Sequence, residues 1–179
     1  MKFPHQISSE FYELLYFAGW YPERDILLDS LPFDLKEFEP NVELFLRSLW
    51  YITFVKKKFY FNKPLDDIDL QNTYYIFGEI STKLANYDCS DEFNGEYIEL
   101  LGGNKKLVCF CTKAGRDVLI DIDGRIYEVP DSGDLYYLGG SFYEGLYNLI
   151  YNQGVSYIAL GNGIFLNEKT QEKYHINDI

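Results

Sequence analysis

Histidine, cysteine, methionine and tryptophan are scarce in this 179-residue chain: two, three, one and two copies. With so few histidines and thiols, the side chains that most often hold zinc or act as catalytic bases and nucleophiles are nearly missing. A zinc site needs about four ligands, and His5 and His175 stand far from each other and from any cysteine cluster. Cys89, Cys109 and Cys111 are an odd number, in a chain with no apolar export segment behind MKFPHQISSE. That count predicts thiols rather than a disulfide framework. Long apolar runs are absent too, so no stretch approaches the ~20 residues that cross a bilayer. Basic residues are outnumbered, 16 against 28 acidic, for a net charge of −12. Such a balance opposes contact with phosphate backbones, which requires neutralisation by Lys and Arg. The expectation is a cytoplasmic protein with no direct nucleic-acid or membrane partner.

What is abundant is aromatic: 17 tyrosines and 14 phenylalanines. Within a hydrophobic share of 47% they supply a core for a single α+β domain without disulfide or metal support. Apolar positions at helical spacing (Ile7, Phe11, Leu14, Leu15, Ala18) predict a first helix, with Ser8 or Ser9 as cap and Gly19 as stop. Pro40 opens a second helix, whose apolar stripe is Val42, Phe45, Leu46, Leu49 and Trp50. Tyr51 to Phe61 reads as a strand carrying the solvated run Lys56, Lys57, Lys58. A loop follows through Asp69, then a strand or helix over Tyr74 to Lys83, and a short helix over Asp91 to Leu101 closed by Gly102 and Gly103.

Lys105 to Val129 reads as an antiparallel meander broken at Ala114-Gly115 and at Asp123-Gly124, the latter predicted as a two-residue hairpin turn with positive φ. Strand alternation places Cys109 and Cys111 on one face of it. Ser141 caps a helix through Tyr151, and Gly161-Asn162-Gly163 centres a terminal hairpin with room for one further strand.

Motifs for specific chemistry fail on spacing. An EF-hand loop with its glycine at Gly124 needs a carboxylate at position 119, which is Leu119. GGNKK (Gly102 to Lys106) lacks the phosphate-loop spacing, and no dinucleotide fingerprint opens a helix. No catalytic residue, cofactor or metal is expected.

Four segments resemble the third group of the SUKH superfamily, bacterial immunity proteins. They are AGW (Ala18 to Trp20) with Pro22 after the first helix, NVELFLRSLW (Asn41 to Trp50), LIDIDGRIYEV (Leu119 to Val129) and LYYLGGSFYEGLYNLI (Leu135 to Ile150). The resemblance implies a mainly antiparallel sheet with flanking helices, with a core over residues 7–151; the C-terminal hairpin extension over 152–179 is a departure from that group. The resemblance further implies stoichiometric binding and neutralisation of a toxin, often a nuclease, with no reaction catalysed. The motif residues Trp20, Asp121, Gly124, Arg125 and Tyr127 read as structural, with Arg125 placed to pair with a carboxylate. An alternative is a regulatory or scaffolding module for an endogenous protein or peptide.

The sequence departs from that group between Phe61 and Lys105, where two lysines face nine carboxylates over residues 62–104, a local charge of −7. A basic toxin domain would be steered toward such a surface. The expected contacts are Asp66, Asp67, Asp69, Asp88, Asp91, Glu92, Glu96 and Glu99, with Tyr74 and Tyr75 as aromatic anchors.

Overall fold

The computed structural model describes residues 9–25, 38–49, 52–54, 78–79, 91–103, 106–113, 116–151 and 156–179. Four helices lie within them: α1 (Ser9–Phe17), α2 (Pro40–Leu49), α3 (Asp91–Leu100) and α4 (Phe142–Tyr151). The strands are β1 (Thr53–Phe54), β2 (Gly78–Glu79), β3 (Leu107–Lys113), β4 (Arg116–Asp121), β5 (Ile126–Val129), β6 (Tyr136–Gly139), β7 (Tyr157–Gly161), β8 (Ile164–Asn167) and β9 (Lys173–His175). They form one antiparallel sheet in chain order, so the fold is α+β. Ile7, Trp50, Lys56 to Lys58, Cys89 and the Ala114-Gly115 break lie outside the described residues.

Local chemistry explains the ends of the helices. Gly19 takes φ +96 after α1. Its amide and that of Trp20 then satisfy the carbonyls of Tyr16 and Leu15. Gly102 and Gly103 do the same after α3, donating to Glu99 and Ile98. The hydroxyl of Ser141 accepts the Glu144 amide at 3.3 Å, and the Glu144 carboxylate reaches back to the Gly140 amide.

Each face of the sheet has its own core, because successive strand residues point to opposite sides. Val108, Phe110, Val118, Ile120 and Ile126 pack under α1, α2 and α4. Leu107, Cys109, Leu119, Tyr127 and Val129 pack with Tyr97 and Leu101 of the α3 region. α4 approaches β5 and β6 so closely that a Cβ on Gly145 would lie 2.5 Å from that of Ile126. This close approach is what the GG and G of LYYLGGSFYEG permit.

The sheet is strongly coiled. Strands β5 and β8 are three steps apart, about 14 Å in a flat sheet. Yet the rings of Tyr127 and Phe165 stack with centroids 6.4 Å apart. Phe165, and Ile176 of the closing 3-10 turn (Ile176–Asp178), thereby complete the second core.

Two turn-level expectations are corrected. The Asp123-Gly124 connection is a three-residue loop. Gly124 donates to the Asp121 carbonyl and Asp121 to that of Arg125, and of the pair Gly124 alone has positive φ, +85. The two-residue turn with both φ positive is Asn162-Gly163, at +52 and +73, between Gly161 and Ile164. Cys109 and Cys111 are both buried but face different cores. A bulge between them inserts Phe110 opposite the Leu119–Val118 step and shifts the alternation by one.

Candidate functional site

The loop between β4 and β5 is built around Asp121, whose side chain is fully buried. One carboxylate oxygen accepts the amides of Asp123 and Arg125, both at 2.9 Å. The other accepts the Tyr127 hydroxyl at 2.8 Å and faces the Arg125 guanidinium at 3.5 Å. Arg125 also bonds Asp123. Burial raises the Asp121 pKa against the opposing pull of these donors, and burial beside Asp121 pushes the Tyr127 phenol well up. A carboxylate enclosed in this way braces a turn, and nothing from solvent reaches it.

α3 carries the described part of the acidic stretch apart from Glu79 of β2. Tyr97 and Leu101 are buried one turn apart, and the Tyr97 hydroxyl donates to the Gly133 carbonyl at 3.3 Å. Glu96 and Glu99 are exposed on the other side. The helical repeat sets positions 92, 96 and 99 on one stripe, with Asp91 at the first residue of the helix. Asp66, Asp67, Asp69, Tyr74, Tyr75 and Asp88 lie outside the described residues, as do the side chains of Asp91 and Glu92. The structure therefore brings Asp91, Glu92, Glu96 and Glu99 onto a single helix. The field there is negative: the Tyr97 phenol is raised by burial, then by the charges of Glu96, Asp117 and Asp134.

The cations are disposed quite differently. The chain has four arginines, and each bonds a group of its own fold. Arg24 donates to the Ser48 carbonyl at 2.5 Å, and Arg47 clasps Asp25 through two nitrogens while reaching Glu43. Arg116 meets Glu128 at 3.0 Å, and Arg125 meets Asp121 and Asp123. Three of the four guanidiniums thus meet carboxylates of their own chain, Arg116 while half exposed, and Glu96 and Glu99 face outward.

The chain matches no family model, no curated protein and no solved structure. Among the described residues no group of three or more His, Cys, Asp or Glu is disposed to hold a metal ion, and no helix is long and apolar enough to cross a membrane. His175 is exposed, its Nδ1 accepting the Asn177 amide at 3.2 Å, whereas His5 lies outside the described residues.

Sequence reasoning missed one surface altogether. Tyr16 and Tyr21 are 48% and 53% exposed. Tyr16 lies in the last turn of α1, and Tyr21 opens the turn Tyr21-Pro22-Glu23-Arg24, in which the Arg24 amide donates to the Tyr21 carbonyl at 3.0 Å and Glu23 takes φ +67. Pro22 followed by a positive φ is the type II pattern, which ordinarily places glycine where Glu23 stands. The signal available in the sequence is Pro22 directly after Tyr21, which favours a turn there.

Proposed function

We propose that this chain is a stoichiometric protein-binding inhibitor, an immunity protein that covers a basic toxin domain and catalyses no reaction itself. The observation carrying this reading is the asymmetry of charge placement. All four arginines are engaged by the chain's own carbonyls and carboxylates, whereas Glu96 and Glu99 stand exposed on α3 in a chain of net charge −12. Carboxylates disposed in this way substitute for phosphates in front of a nuclease cleft and raise the encounter rate with it. The resemblance of four segments, in their order, to the SUKH group favours the same class of activity. The buried Asp121 brace supports it as well, since it assigns the most polar motif to folding and leaves recognition to the surface.

Co-expression with any toxin domain found encoded beside this gene tests the reading. Survival of the cells, with a 1:1 complex recovered from them, is the expected result. Continued killing in the presence of folded, soluble protein overturns it.

A further inference from the structure

The surface formed by α1 and the turn after it faces away from α3. Phe11, Leu14 and Leu15 turn inward to the core under the helices, while α3 covers the opposite side of the sheet. At the edge of that core, Tyr12 and Tyr16 of α1 and Trp20 after it form a mutual ring cluster with centroids 5.1, 5.6 and 6.1 Å apart. Trp20 is the buried floor and Tyr16 the half-exposed rim. Tyr21 adds a second exposed ring. Exposed Glu13 neighbours Tyr16 on the helix surface, and exposed Glu23 lies two residues beyond Tyr21.

Two features set this patch apart from an ordinary solvated face. Tyr16 and Tyr21, five positions apart in the chain, are both about half exposed, and Tyr is enriched at contact surfaces. And Glu23 occupies a left-handed backbone position that glycine would fill without strain, so a carboxylate is held at the turn at a cost to the fold. The neighbouring cations are turned aside: Arg24 points to the Ser48 carbonyl, and Arg47 is held by Asp25 and Glu43. Among the described residues, what remains exposed here is tyrosine rings with carboxylates close by in the chain, the complement of a guanidinium.

We propose that this surface docks an arginine-bearing loop of a protein partner, with Tyr16 and Tyr21 stacking on the guanidinium and Glu13 and Glu23 pairing with its charge. It lies on the other side of the sheet from the acidic helix, so it stands independently of the inhibitor reading.

The test is a titration of the full, isotopically labelled chain with the capped peptide Gly-Arg-Gly-Arg-Gly, followed by NMR, beside the same peptide with lysine or glutamine in place of arginine. The amide signals of Tyr16, Tyr21 and Glu23 should move. Arginine should bind more tightly than lysine, and glutamine should not bind. Tyr21→Leu, which keeps apolar bulk, should weaken binding about 2- to 5-fold. Glu23→Gly should weaken it similarly while raising Tm by ~1–3 °C, because the strained position is relieved. Glu96→Gln with Glu99→Gln should leave peptide binding unchanged. Shifts centred on α3, shifts spread evenly over the exposed carboxylates, binding indifferent to Tyr21→Leu, or a fall in Tm for Glu23→Gly would each overturn the proposal. Failure of cellular rescue bears on the inhibitor reading and leaves these outcomes unchanged.

Discussion

The amide of Gly163, at the tip of the β7–β8 hairpin, donates to the carbonyl of Leu100, the last residue of α3, at 2.8 Å. The same glycine's carbonyl accepts the amide of Ile176 at 2.8 Å, so one residue ties the acidic helix to both the hairpin and the C-terminal turn. A side chain is strained and crowded there. Gly163 has φ +73, and an added Cβ would sit 3.3 Å from His175 Nε2 and 3.4 Å from the Leu101 carbonyl. Gly163→Ala should cost at least ~1–2 kcal/mol from the left-handed backbone alone. Hydrogen exchange should quicken in α3 more than in α2; equal protection in the two helices would refute the tie.

Gly→Ala should have opposite signs in two helices. In α4, Gly145→Ala drives a Cβ to 2.5 Å from that of Ile126 and should destabilise by ~1–3 kcal/mol despite alanine's better helix propensity. In α3, Gly95 has nothing within 4 Å of the added atom, and Gly95→Ala should stabilise by up to ~1 kcal/mol. Urea midpoints of the two variants decide the matter.

Asp121→Asn should destabilise the fold by ~1–3 kcal/mol even though it removes a buried charge. An amide nitrogen would then confront the Tyr127 hydroxyl or the Arg125 guanidinium, both donors to the carboxylate. The pH dependence has a definite sign. A carboxyl whose pKa is raised on folding binds its proton more tightly in the native state, so its contribution is full below the ordinary carboxyl range and declines as pH climbs through the raised value. The stability gap between the native chain and Asp121→Asn should accordingly narrow as pH rises from about 4. A gap that widens over that interval would contradict the raised pKa.

Glu96→Lys combined with Glu99→Lys should slow association with a basic toxin domain by roughly 10-fold at low salt and flatten the salt dependence of the on-rate. Stopped-flow measurements at two ionic strengths suffice, and an unchanged on-rate would remove α3 from the docking account.

The elements that could be read from the sequence are those set by short-range chemistry. The stripe Val42, Phe45, Leu46, Leu49 behind Pro40 specifies α2 by its period, and all four side chains are buried. Gly19, Gly102 and Ser141 mark helix ends because a positive φ or a cap oxygen is needed within a few residues. What stayed hidden depends on a single inserted residue or on distant contacts. The bulge at Phe110 reverses which core Cys111 meets, and period-two alternation gives no warning of it. Asp-Gly at 123–124 is compatible with two turn lengths, and the four donors around Asp121 favour the longer one. The stacking of Tyr127 on Phe165 spans 38 positions of chain and follows from sheet coiling, which no local pattern encodes. Of the site, Glu96 and Glu99 were legible as the polar side of an amphipathic helix, whereas Tyr16 and Tyr21 were indistinguishable from core aromatics until burial was known.

The bulge between Cys109 and Cys111 makes the two thiols separate sentinels. Cys111 belongs to the layer beneath α1, α2 and α4, and Cys109 to the layer beneath α3. Because each becomes accessible only when its own layer parts, the relative speeds with which a thiol reagent modifies them record which half of the molecule breathes first.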